Sequence, residues 1–150
     1  MGNMGTAMLS QKTRYALRAL IHLAREGEGR AVPAAEIAQL QQVPRKYCEL
    51  ILLDLKRGGL IASRRGPGGG YALARPPEQI DFAEVIRLTD GPIAMVPCAS
   101  LNFYERCDDC HDEATCAIRK VMAKVRAQAA QTLSGTTLAD AARAEASEAA

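Results

Sequence analysis

Six residues with almost no side-chain bulk, Arg65-Gly66-Pro67-Gly68-Gly69-Gly70, separate two short runs that read as strands. The runs are Leu60-Ile61-Ala62-Ser63-Arg64 and Tyr71-Ala72-Leu73-Ala74. Four glycines and a proline between two strands predict a hairpin whose tip lets backbone approach a large ligand. Arg64 and Arg65 place cations beside that tip. A nucleotide-binding glycine loop would be followed by Lys-Ser/Thr and would open a helix. Here the loop joins two strands, so DNA is favoured over a nucleotide.

The segment before the hairpin sharpens this reading. Ser10 is placed to cap a helix whose apolar positions Tyr15, Ala16, Ala19, Leu20, Leu23 and Ala24 share one face, with Gly27 and Gly29 ending it. A short helical segment, Ala34 to Leu40, and a turn through Gln41, Gln42 and Val43 lead to Pro44, where a first helical turn tolerates proline. Cys48, Ile51, Leu52 and Leu55 then form an i, i+3, i+4, i+7 stripe that stops at Gly58-Gly59. Two short helices across a tight turn are a helix-turn-helix. With the basic hairpin after it, the layout predicts a winged helix-turn-helix: a helix for the major groove and a wing for the backbone or minor groove.

Charge divides accordingly. Residues 1–77 hold twelve Lys and Arg against five Asp and Glu, a net +7, and the rest of the chain is −5. A basic half joined to an acidic half suits a polyanion-binding module with a regulatory part, although an unevenly charged surface gives the same count. The candidate DNA contacts are Lys12, Arg14, Arg45, Lys46, Tyr47, Glu49, Arg64, Arg65, Gly68 and Gly69. Glu49 on the face opposite the stripe can accept from cytosine N4 or pair with Lys46; Lys12 and Arg14 can hold phosphates or stay solvated.

Five cysteines are distributed unevenly: Cys48 stands alone on an apolar stripe and reads as a core thiol, whereas Cys98, Cys107, Cys110 and Cys116 fall within nineteen residues. No apolar run approaches the roughly 20 residues that span a bilayer, and no secretory signal is visible at the start, so the expected compartment is the cytoplasm, where a disulfide framework is disfavoured. Four thiols so close together point to metal or redox chemistry. Thiolate-rich sites select zinc, copper(I) or iron–sulfur clusters, and four ligands suffice for zinc or for a cluster. Asp108, Asp109, Asp112 and Glu113 raise neighbouring thiol pKa values, which disfavours a simple reactive-thiol switch, and with His111 they offer other ligands.

Downstream, Phe82, Val85, Ile86 and Leu88-Thr89 suggest a short helix ending near Asp90-Gly91-Pro92. A long helix over about Thr115 to Leu133 carries a stripe of Ile118, Val121, Met122, Val125, Ala129 and Leu133. Pairing with a second copy covers such a stripe economically; folding back on its own domain is the alternative. The expected organisation is a DNA-binding domain at 8–77, a cysteine loop and dimerisation helix at 78–134, and a flexible tail at 135–150. The fold class is mostly α with a small β-wing.

Three sets of residues together carry a resemblance: Ser10 through Leu20, Glu36-Ile37-Ala38 with Pro44-Arg45-Lys46-Tyr47, and Arg65 through Ala74. In these the chain resembles the bacterial winged-helix regulators typified by IscR, NsrR and RirA, from about Met8 to about Ala139. The resemblance implies a homodimeric transcriptional regulator, usually a repressor, acting on double-stranded DNA at an inverted-repeat operator and not an enzyme. It also implies an iron–sulfur cluster on C-terminal cysteines, through which iron, cluster status, redox state or nitric oxide is sensed. By order in the loop the cluster role falls on Cys98, Cys107 and Cys116. IscR-like members have three cysteines at shorter gaps, and IscR has a His three residues after the last. Arg119 occupies that position here and Cys110 is extra, so the fourth ligand does not carry over. The competing readings are a metal-free or zinc-containing thiol switch and, more weakly, a thiol–disulfide oxidoreductase using Cys107-Asp108-Asp109-Cys110. The last lacks the strand–helix unit that a redox C-x-x-C opens.

Overall fold

A computed structural model of the chain describes residues 9–27, 30–94, 97–101 and 104–149. Met1 to Met8, including the expected domain start, and Gly29 at the end of the first helix lie outside the described residues. The chain orders as α1 (Gln11–Glu26), α2 (Ala34–Gln41), α3 (Arg45–Arg57), β1 (Ile61–Arg64), β2 (Gly70–Leu73), α4 (Phe82–Thr89), α5 (Ala117–Ser134) and α6 (Leu138–Ala149). The expected class is observed: mostly helical, with a single two-stranded antiparallel sheet among the described residues.

α1 begins where its sequence says it should. The Ser10 hydroxyl accepts from the Thr13 amide at 3.1 Å, satisfying one of the unpaired first-turn donors. Its apolar face buries Ala16, Leu17, Leu20 and Leu23 against Ile37 of α2 and Ile51, Leu52 and Leu55 of α3. The turn between α2 and α3 is closed by Gln42, which takes the left-handed conformation at φ 55° and donates to the carbonyls of Ala38 and Gln39. That reversal sets α3 across α2 and leaves the face of α3 opposite Cys48, Ile51, Leu52 and Leu55 exposed.

The hairpin pairs Ile61 with Leu73 through Arg64 with Gly70, and Tyr71 continues the ladder onto Val32 with two 2.8 Å backbone bonds. This third segment explains Gly70. Its φ is 148°, and a Cβ there would lie 2.4 Å from the Val32 backbone. Gly69 is constrained from within the turn, where a Cβ would meet the Arg64 carbonyl at 2.5 Å. Gly69 is therefore required by the turn and Gly70 by the close pass of Val32.

The expected flexible tail at 135–150 is a correction. Thr137 and Asp140 form a reciprocal cap, the Thr137 amide donating to the Asp140 carboxylate at 3.0 Å and the Asp140 amide to the Thr137 hydroxyl at 3.1 Å. These bonds, the largest being that from the backbone, hold the Asp140 carboxyl below its ordinary value. Leu138 donates its amide to the Ile80 carbonyl at 2.9 Å, and its side chain is fully buried in the same core as Leu20 and Ile80. α6 then packs along α1. The Ala/Glu composition suggests fraying, but a capped start and one buried leucine outweigh it.

Candidate DNA-binding surface and cysteine cleft

Two separate regions carry the candidate functional groups. The first is the exposed face of α3 with the wing. Arg45, Lys46 and Glu49 are exposed at the start of α3, as are Arg64, Arg65 and Gly68 around the hairpin tip, while Gly69 is half-buried in the turn. Arg14 is exposed on α1. Several of the expected contacts have intramolecular partners. Lys12 Nζ lies 2.6 Å from Asp54 Oδ2, which ties the start of α1 to the last turn of α3. Glu49 is bound by Arg45 at 3.0 Å, one turn earlier, and not by Lys46 as its spacing also allowed. Tyr47 is half-buried, its ring packing edge-on against Tyr15 at 6.0 Å between centroids. Its bulk therefore orients α3 on α1, and the groups left outward at the helix start are Arg45, Lys46 and Glu49.

Sequence reasoning passed over two outward apolar residues on α3. Leu50 is 62% exposed, and Leu53 also faces outward. Their offset from the core stripe by two positions was the available signal, since an apolar residue there covers nothing within the chain.

The second region forms around α5. Cys98 is buried in a single 3-10 turn, Pro97–Ala99, and Cys116 caps α5, its Sγ accepting from the Arg119 amide at 3.5 Å. Arg119 reaches back from the first turn of α5, its Nε donating to the Cys98 carbonyl at 3.1 Å. Arg119 thus ties the 3-10 turn to the start of α5. Cys107 and Cys110 sit in the intervening loop, which is held by a Cys110 amide bond to the Cys107 carbonyl and by an Asp112 turn that takes the Ala114 amide at 2.9 Å. Tyr104 bonds Glu113 across the same loop.

All four loop cysteines, with His111 and Asp112, line one cleft of about 320 Å³. Cys107 Sγ and Cys98 Sγ are 3.7 Å apart. The hydrogen bond to Cys98 is the first cause raising the Cys107 thiol above its ordinary value, followed by burial and the charges of Cys98, Asp109 and Cys110. Among the described residues, no three of these sulfurs gather within 4.8 Å of one another. A single tetrahedral zinc with bonds of about 2.3 Å needs sulfurs about 3.8 Å apart on every edge, so the spread favours an occupant larger than one ion. Cys48 behaves as its stripe predicts: it is buried in the core, where burial and then Glu49 push its thiol up.

α5 itself is half uncovered. It packs on α4 and on the 3-10 turn, yet none of its residues is buried, and Ile118 and Val121 are 67% and 52% exposed. No helix among the described residues is long and apolar enough to cross a membrane.

Comparison with known proteins agrees with this geometry. The family described as Rrf2, iron-dependent transcriptional regulator, matches residues 9–144. The rrf2-like HTH-type transcriptional regulator of Rhodobacter capsulatus is 48% identical over 121 residues, covering 79% of this chain and 81% of its own. The HTH-type transcriptional regulator IscR of Cronobacter sakazakii is 36% identical over 102 residues, covering 68% of this chain and 63% of its own. Among solved structures, CymR, the global cysteine regulator of B. subtilis, superposes with a TM-score of 0.76 at 30% identity, covering 92% and 98% of the two chains. T. potens IscR follows at 0.72 and 27%, covering 93% and 89%. These relatives are regulators and not enzymes, which removes the oxidoreductase reading. With a matched family spanning nearly its whole length, a winged helix-turn-helix and relatives of this kind, the chain belongs to the Rrf2 family of DNA-binding transcriptional regulators.

Proposed function

We propose that the chain is a cytoplasmic, homodimeric repressor whose operator affinity depends on an iron–sulfur cluster held by Cys98, Cys107, Cys116 and, as fourth ligand, Cys110. The observation that carries this reading is the shared cleft, which all four cysteines line while no three of their sulfurs gather as closely as a single ion requires. When bound, the cluster supplies tunable redox chemistry on thiolates that tie the 3-10 turn, the loop and the start of α5 together. The chain's own residues do the rest. Cys116 and Arg119 couple the cleft to α5, and the exposed Ile118–Val121 face of α5 pairs with a second copy. Loss of the sulfur ties frees the loop and changes how α5 seats on α4, and with it the spacing of the two α3 helices. Arg45, Lys46 and Glu49 read bases, Arg14, Arg64 and Arg65 hold phosphates of an inverted repeat, and Gly68 and Gly69 bring wing backbone near the duplex. Lys12 and Tyr47 contribute by fixing α3 on α1.

Anaerobic purification with visible spectroscopy and iron and sulfide analysis tests this. Coloured protein with matched iron and sulfide is expected, and Ser at Cys98, Cys107 or Cys116 should bleach it and change operator affinity severalfold. Cys110→Ser bleaches equally if Cys110 is the fourth ligand, and stays coloured if His111 or a carboxylate serves. Colourless wild-type protein overturns the cluster.

The 3.7 Å separation of the Cys98 and Cys107 sulfurs favours one second reading. In it a peroxide-class oxidant takes two electrons from this thiol pair: the S–S bond forms as the O–O bond breaks, and the two thiol protons leave on the peroxide oxygens, as two waters from hydrogen peroxide. Colourless protein that loses two titratable thiols on oxidation, and changes operator affinity as it does, is its signature.

A further inference from the structure

His22, Glu26 and Glu36 bring together one imidazole and two carboxylates from α1 and α2, none of them among the residues that line the cysteine cleft. Their ligand atoms all lie within 4.8 Å of one another. Among the described residues they are the only three or more His, Cys, Asp and Glu to do so. His22 and Glu26 stand one turn apart on α1, which puts both side chains on one helix face. Glu36 enters from the first turn of α2.

The separations are informative. His22 Nε2 lies 3.8 Å from Glu26 Oε1 and 3.7 Å from Glu36 Oε1, too far for hydrogen bonds. Nε2 is nevertheless shielded from solvent and has no hydrogen-bond partner. A shielded imidazole nitrogen facing two carboxylates, with the hydrogen-bonding distance exceeded on both sides, can share a cation with them once it presents its lone pair. A tetrahedral ion with bonds of about 2.0–2.1 Å sets its ligand atoms about 3.4 Å apart, so closure needs inward shifts of only a few tenths of an ångström to about 1 Å. The Arg30 guanidinium now lies against both carboxylates, 3.5 Å from Glu36 on one branch. It is half exposed and can turn to solvent, leaving the two negative charges to a divalent ion.

We infer that His22, Glu26 and Glu36 form a second metal site, specific for a divalent first-row cation of the zinc type, with water at the fourth position. One nitrogen and two oxygen donors match that class, and the absence of sulfur separates it from the cysteine cleft. The site joins α1 to the helix that precedes α3, so its ion stiffens the helix-turn-helix independently of any cluster.

The test is zinc and cobalt(II) titration of the full chain, followed by calorimetry, cobalt absorption and thermal unfolding, with His22→Ala and Glu36→Gln beside wild type. Wild type should bind one more zinc per chain than His22→Ala, and Glu36→Gln should weaken that zinc at least tenfold. Its cobalt form should show weak visible bands without thiolate charge transfer. Zinc at a hundredfold excess over the wild-type dissociation constant should raise the wild-type midpoint by about 5–10 °C, a rise that this site no longer supplies in His22→Ala and that falls to about half or less in Glu36→Gln. Circular dichroism confirms folding, and the half-exposed, near-isosteric Glu36→Gln guards against a misfolded His22→Ala. Equal zinc stoichiometry and affinity in all three proteins overturns the site. So does cobalt that reports thiolate ligation only, or a midpoint that responds to His22 protonation and not to metal. None of these outcomes bears on the colour of the cysteine cleft, so the two proposals fail separately.

Discussion

Truncating Leu138 to Ala asks whether the C-terminal helix belongs to the core. Leu138 has no exposed surface and sits among the residues that α1, α3 and the segment at Ile80 bury together. Its amide bond to the Ile80 carbonyl survives the substitution, so the change isolates the side chain. Removing a fully buried leucine to alanine costs about 2.7–5 kcal/mol, the forfeited transfer free energy plus the cavity left behind. That is a large share of the roughly 5–15 kcal/mol by which a domain is stable. For a chain of this length it corresponds to a fall in Tm of roughly 6–16 °C, and in urea to a midpoint shift of about 1–3 M. Urea unfolding followed by circular dichroism at fixed protomer concentration measures it, because a dimer's midpoint moves with concentration. Leu40→Ala, at a position 56% exposed, serves as control and should change stability by less than about 0.5 kcal/mol. A Leu138→Ala loss under about 1 kcal/mol would refute the seating of α6 and restore a loosely attached tail.

Three further outcomes follow from the same structure. Replacing Arg64 and Arg65 by Ala should weaken binding to all DNA sequences and flatten the salt dependence by roughly 0.9 for each phosphate no longer neutralised; an unaltered slope removes the wing from the interface. Burial pushes the Asp90 carboxyl up, but hydrogen bonds from Ser10 and Thr13 and the charge of Lys12 outweigh it and leave it below its ordinary value. The stability Asp90 contributes is thus complete above the ordinary carboxylate range and lost as pH falls through the depressed value, so Asp90→Asn should lower stability at neutral pH and flatten the acid limb of a stability–pH profile; parallel profiles would contradict this. Cys48→Ser should destabilise the fold by about 1–3 kcal/mol while leaving any visible spectrum intact, whereas a bleached variant would place Cys48 among the ligands.

Local patterns in this chain carry their own structural instructions. Ser10 caps α1, the Cys48–Leu55 stripe faces the core, and the crowding of Cys98 to Cys116 marks a site, because each depends on residues near in sequence. The last helix is the exception, its reciprocal Thr137–Asp140 cap being a start signal that the expectation of a flexible tail left out. Its composition, rich in alanine and glutamate, pointed the other way, and only the pocket made by Ile80 and α1 gave Leu138 a place to bury. Long-range partners lay outside such patterns. Spacing alone paired Glu49 with Lys46 as readily as with Arg45, and it said nothing of the Lys12–Asp54 tie or of Tyr15 against Tyr47. Nor does spacing join His22 to Glu36, which meet only because α1 and α2 pack together. Sequence by itself determined the elements, the wing and the thiol inventory, which follow from periodicity, backbone restriction and residue chemistry. Tertiary structure alone decided which charges are already paired, that the last helix completes the core, and that four cysteines share one cleft, because each of these is a distance between groups that the chain brings together only on folding.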